Sequence, residues 1–141
     1  MKNNKGFSMI ELLAVIAILG VIAIMGIVGY GRYLERSRKN AFENMGKTLY
    51  ESTKSYFIYN SELLPTTGTP TTIIAQDLVD AGFTEYLTNP RKNKENCNQS
   101  TVKVTYNGMS SDNMNMNLNY EIKIICNGKQ EIVFTYPIDI S

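Results

Sequence analysis

Near the N-terminus the residues Lys5-Gly6-Phe7-Ser8-Met9-Ile10-Glu11 place a glycine ahead of an apolar segment and a carboxylate at its beginning. An acid carried to the centre of a bilayer costs about 2.5–3.5 kcal/mol, and less near an interface. A carboxylate in that position is therefore a functional residue by default, with charge pairing as its chemistry. The other candidates are the two cysteines, Cys97 and Cys126, whose thiols can form a disulfide, act as a redox pair or remain free. Two thiols without a histidine make a poor metal site. The chain has no His and no Trp, which excludes imidazole ligation and imidazole acid/base work and removes the best aromatic platform for a ligand. An ordinary hydrolase, zinc enzyme or catalytic triad does not fit this inventory. No catalytic residue, cofactor or metal is expected.

The element that must carry Glu11 is unusual. The chain has 141 residues, 43% of them hydrophobic, which is one domain's worth at a normal apolar fraction. Their distribution is uneven: Leu12 to Gly31 is a run of twenty residues without a charge, the length of a membrane span. What remains is roughly a hundred residues, enough for one modest core. The run is too long for a secretory signal peptide, and its features come in a different order. Lys2 and Lys5 precede it, and Arg32, Arg36, Arg38 and Lys39 follow it, offset by Glu35. Residues 40–141 hold eight basic and eleven acidic side chains, a net charge of −3. Such a domain offers no broad field for nucleic acid. The basic cluster at 32–39 reads as a membrane-edge collar facing lipid headgroups.

The first eleven residues resemble the class III signal of type IV pilins and pseudopilins: a short basic leader, then Gly, then Phe, Ser or Thr, two mostly apolar residues, and Glu. The resemblance implies that a prepilin peptidase cuts between Gly6 and Phe7 on the cytoplasmic side and methylates the new amino group of Phe7. It also implies that Glu11 pairs with the N-terminal amine of a neighbouring subunit during assembly. Opposite charges buried together offset a penalty that either alone would suffer. Many pilins have a proline about two-thirds of the way along the apolar segment. This chain has none there, but Gly20, Gly26, Gly29 and Gly31 each weaken a helix by about 1 kcal/mol relative to Ala. These glycines equally suit close packing between membrane helices. The positive-inside rule alone leaves the orientation ambiguous, and the resemblance puts Lys2 and Lys5 in the cytoplasm.

Beyond the span the helix is expected to continue to about Tyr59. Phe42, Met45, Leu49 and Tyr56 recur at helical spacing, with Leu34 and Ala41 extending the stripe upstream. Glu43 with Lys47, and Glu51 with Lys54, have spacings that meet on a helix surface. One helix from Phe7 to Tyr59 would be roughly 80 Å long. Leu64-Pro65-Thr66-Thr67-Gly68-Thr69-Pro70 is a stop followed by a turn-rich connector. Thr71 or Thr72 is placed to cap a short helix from Ile73 to about Ala81, ended by Gly82. The polar segment Arg91-Lys92-Asn93-Lys94-Glu95-Asn96 reads as a solvated loop.

The C-terminal third alternates with period two over Thr101–Tyr106, Leu118–Cys126 and Glu131–Tyr136, and Asn127-Gly128 is a tight-hairpin signal. The expected fold is α+β and pilin-like: a long N-terminal helix, transmembrane in its first half, packed against a small C-terminal antiparallel sheet. Its parts are a leader (1–6), a transmembrane and assembly helix (7–31), an amphipathic second half (32–60) and a globular head (61–141). A pairing that sets Tyr106 opposite about Leu118 brings Cys97 next to Cys126. An exported domain sits where disulfides persist, and small pilin-like proteins carry a similar Cys spacing. Free thiols and a redox pair are the alternatives. The run from Asp112 to Asn117 looks faintly like a calcium loop but has one carboxylate, no glycine at the turn and no terminal Glu. It reads better as an exposed hairpin loop. The tyrosines, Tyr106, Tyr120 and Tyr136 among them, fit the amphipathic half of a small sheet.

The function expected from the resemblance is that of a non-enzymatic subunit of a type IV pilus-like filament, at first a single-pass protein of the cytoplasmic membrane with its domain outside. It would then be polymerised through its N-terminal helix into a fibre at the cell surface. The partners implied are the prepilin peptidase, other copies of the chain and minor pilins, membrane lipid and, indirectly, the inner assembly platform and its ATPase. No specific nucleic acid is expected. The alternatives are a pseudopilin of a type II secretion or competence (DNA-uptake) system, a minor tip pilin, and a membrane-tethered receptor or enzyme.

Overall fold

The apolar run and the amphipathic stretch after it form one α-helix, α1, Met9–Tyr59. It belongs to a computed structural model that describes residues 5–92, 95–109 and 116–137. No proline interrupts α1, and its four early glycines are all helical. The chain divides into two compact units, Met1–Ser37 and Arg38–Ser141.

In the first unit α1 is apolar on every side from Leu12 to Gly31. It is long and apolar enough to cross a membrane, and none of its most apolar stretch is buried within the chain. Phe7 is 87% exposed and Ile27 73%. A helix that is apolar all round needs lipid or other helices to cover it.

In the second unit α1 turns amphipathic and buries Phe42, Gly46, Leu49, Ser52, Thr53 and Phe57. The stripe expected from the sequence is present in Phe42 and Leu49, with Met45 and Tyr56 at its margin. Glu51 and Lys54 form their ion pair at 3.7 Å on the solvent side. The helix stops at Asn60, whose backbone N–H and side-chain Nδ2 both donate to the Tyr56 carbonyl at 3.0 Å. A 3-10 turn, Ser61–Leu63, and Pro65 follow.

The sheet has four antiparallel strands in sequence order: β1 Thr71–Ile74, β2 Thr101–Met109, β3 Met116–Cys126 and β4 Lys129–Tyr136. The register sets Tyr106 opposite Leu118, as the alternation implied. Asn127 and Gly128 both adopt positive φ, 50° and 76°, the backbone of a two-residue hairpin whose twist matches the flanking strands. Residues 110–115 of the Met- and Asn-rich run lie outside the described residues, as do Asn93 and Lys94.

One segment differs from expectation. Thr71–Ile74 forms strand β1, paired with β2 from Thr71 opposite Val104 to Ile74 opposite Thr101, and the helix, α2, begins only at Ala75 and ends at Asp80. Four successive β-branched residues favour the pleated backbone, and the free edge of β2 supplies the hydrogen bonds. Gly82, at φ 78°, follows α2 in the left-handed conformation.

The core lies between the sheet and residues 38–59 of α1. Leu49, Leu78, Val102, Val104, Ile122 and Ile124 are fully buried, each contributing about 1.5–3 kcal/mol by leaving water. Tyr50 meets Tyr120 edge-on and stacks on Tyr136, both at 4.8 Å between centroids. Burial, with Tyr50 and Glu51 nearby, pushes the Tyr120 hydroxyl up to about 12. Gly46 leaves the space that the Phe134 ring of β4 fills: a Cβ there would stand 2.5 Å from its Cδ2. Gly46→Val is expected to destabilise the head by about 1–3 kcal/mol through overpacking, seen as a lower midpoint in thermal melts of the full chain in detergent.

Candidate functional site

Lys5 to Ser8 are not helical, and α1 begins at Met9. What fixes this start is a reciprocal pair of hydrogen bonds: the Ser8 backbone N–H donates to Glu11 Oε2 at 3.0 Å, and the Glu11 backbone N–H donates to Ser8 Oγ at 3.3 Å. Ser8 is the N-cap, and Glu11 stands at the third helical position, the arrangement of a capping box. The first α-helical bond then runs from Leu12 N–H to the Ser8 carbonyl at 3.1 Å. The negative carboxylate also sits well in the field of the helix N-terminus.

Gly6 and Phe7 lie just ahead of this cap. No atom stands within 4 Å of where a Cβ on Gly6 would be, and Phe7 is exposed. The peptide bond between them is therefore outside the helix and open to solvent, the state in which a backbone can enter a protease cleft. Three sequence-selected residues, Gly6, Phe7 and Glu11, thus lie within six successive positions astride the start of the helix. Ser8 was not singled out by that reading, although the spacing Ser-x-x-Glu before an apolar run is the signal for it. Ser8→Ala is expected to remove about 0.5–2 kcal/mol of local helix stability, detectable as faster amide exchange over the first turn of α1 with the head unchanged.

The two cysteines lie elsewhere, in the second unit, and are joined as a disulfide. Both sulfurs are fully buried. The bridge fastens the segment before β2 to the end of β3. Neighbouring polar groups complete the fastening: Ser100 Oγ donates to the Cys97 carbonyl at 2.6 Å and accepts from Ile125 N–H at 2.9 Å. Asn98 Oδ1 accepts from Leu87 N–H at 2.9 Å, and the Asn127 N–H donates to the Asn96 carbonyl at 3.0 Å. The bridge is structural in its surroundings, with no open face for exchange chemistry.

The described residues of the 91–96 segment are tied in place by side-chain contacts. Asn89 Nδ2 and Lys92 Nζ bond the Glu95 carboxylate at 2.8 and 3.1 Å, and these bonds, Lys92's first, hold it below the usual carboxylate range. Arg91 reaches Glu131 at 3.9 Å and lies over the Phe42 ring.

Against known families, the model of the prokaryotic N-terminal methylation motif matches residues 1–27. Curated proteins and solved structures give no match. The matched residues contain the cap, the Gly6–Phe7 bond and most of the apolar run. The chain thus carries the N-terminal methylation motif, the class III prepilin signal of type IV pilins and pseudopilins, at the head of a helix long and apolar enough to cross a membrane.

Proposed function

We propose that the chain is a subunit of a type IV pilus-like surface filament, cut between Gly6 and Phe7 by the prepilin peptidase, methylated on the Phe7 amine and polymerised through α1. The observation that carries this reading is the methylation motif placed directly on a helix whose apolar side chains are all exposed as far as Tyr33. That surface must be covered, first by lipid and then by the same helix of neighbouring copies and minor pilins. Residues 1–6 act as the leader, 7–31 as the transmembrane and assembly helix, 32–60 as its amphipathic continuation and 61–141 as the head displayed outside. The inner platform and its ATPase act on the chain indirectly.

Polymerisation requires a head-to-tail contact that does not close on itself. Glu11 supplies the charge for it. Its carboxylate, held by the cap in the single chain, accepts the methylated amine of Phe7 from the next subunit. Both charges are then neutralised in a water-poor bundle where each alone would be costly.

Immunogold electron microscopy of the sheared surface fraction of the native host tests the filament. Long fibres labelled along their length are expected. Label confined to the membrane would instead indicate a pseudopilin of a secretion or DNA-uptake system, and label confined to fibre ends a minor tip subunit.

A further inference from the structure

The end of the apolar run remote from Glu11 carries a second chemical pattern. Leu12 to Gly31 at 1.5 Å per residue spans about 30 Å, the thickness of a bilayer's hydrocarbon core. At its end and in the next turn and a half stand Tyr30, Arg32, Tyr33 and Arg36, all exposed, with Tyr30 at 63% and Tyr33 at 69%. At 100° per residue these four occupy one arc of roughly 160° around the helix. Arg32 and Arg36, four apart, share a face. Among the described residues neither arginine has an ion pair or hydrogen bond.

We propose that Tyr30, Arg32, Tyr33 and Arg36 form a collar that binds the phosphates of anionic phospholipids in the outward-facing leaflet. This rests on the reading that residues 7–31 span the membrane before assembly. Tyrosines settle at headgroup level because the ring is apolar and the hydroxyl is wet. A guanidinium holds a phosphate with paired N–H donors, better than it holds a zwitterionic headgroup whose own ammonium competes. The collar sets the depth of the unassembled subunit and must release its lipids when the helix is extracted.

The test uses the full chain in neutral detergent micelles, titrated with phosphatidylglycerol or phosphatidylcholine and read by native mass spectrometry. Phosphatidylglycerol is expected to bind more tightly. Arg32→Gln and Arg36→Gln should each weaken that binding about fivefold, and the double variant should bind both lipids alike. Added salt should reduce the preference. Equal binding of the two lipids by the parent chain, or an unchanged preference in the double variant, overturns the proposal. Displacement by inorganic phosphate would mean a free-anion site, and an intact lipid preference with fewer filaments in the double variant would make the arginines a subunit contact. Alkaline carbonate extraction of native membranes separates this from the underlying reading. Release of the parent chain there contradicts the span itself, whereas retention with no lipid preference contradicts the collar alone.

Discussion

Glu11→Ala is expected to abolish filament assembly while leaving insertion into the membrane intact. Removing one partner of a buried charge pair costs about 3–5 kcal/mol because the other is left unpaired. That corresponds to a loss of at least a hundredfold in the assembly equilibrium, repeated at every subunit. Insertion needs only the apolar run, from which Glu11 lies outside. The alanine variant alone leaves an ambiguity, since Glu11 also closes the cap with Ser8. Glu11→Gln resolves it: glutamine serves at the third position of a capping box but carries no charge. If charge pairing drives assembly, the glutamine variant fails as the alanine variant does. Normal fibres from Glu11→Gln, counted by electron microscopy in sheared fractions of equal membrane content, would assign the role to capping and defeat the pairing mechanism.

The second large effect concerns the head. The Cys97–Cys126 bridge spans a sequence separation of 29, and closing a loop of that size removes about 3.5 kcal/mol of unfolded-state entropy in the chain-entropy model. Cys97→Ser with Cys126→Ser is expected to lose about 2–5 kcal/mol, since the buried site also receives two hydroxyls. For a domain of about a hundred residues this lowers the melting midpoint by roughly 10–30 °C. Circular dichroism of the full chain in detergent, parent against double variant, measures it. A midpoint within two or three degrees of the parent's would show that the hydrogen bonds around Asn98 and Ser100 hold the segment without the bridge.

The comparison of sequence with structure separates local signals from long-range ones. Strands β2 to β4 were legible because period-two alternation and the Asn127-Gly128 turn between β3 and β4 act within a few residues, and the register of β2 on β3 places Cys97 beside Cys126. Phe42 and Leu49 were legible for the same reason, as a helical stripe. Gly46, Ser52 and Thr53 were not, because an apolar-periodicity reading passes over small and polar residues. Their burial comes from what lies opposite: the Phe134 ring fills the space over Gly46, and Ser52 Oγ donates to the Phe83 carbonyl at 2.9 Å. Thr71–Ile74 went to the wrong element because its threonines suit a helix cap and its length suits a first turn. The partner that makes it a strand, Thr101–Val104, lies some thirty residues further along. At the N-terminus Glu11 stood out by type and position, and the Gly6–Phe7 bond through the resemblance that the motif carries. Ser8 did not, since its part is to hold the helix start through a hydrogen bond to Glu11, and that shows only when the two are read as a spaced pair.

The central claim is that Phe7 becomes the first residue of the working subunit, since both the amine and the assembly contact depend on it. Mass spectrometry of the N-terminal peptide, from membrane-fraction protein made in the native host, tests this most directly. The account predicts a peptide beginning at Phe7 and heavier by one methyl group. A chain that retains Met1, or one that starts well beyond Gly31, would contradict it.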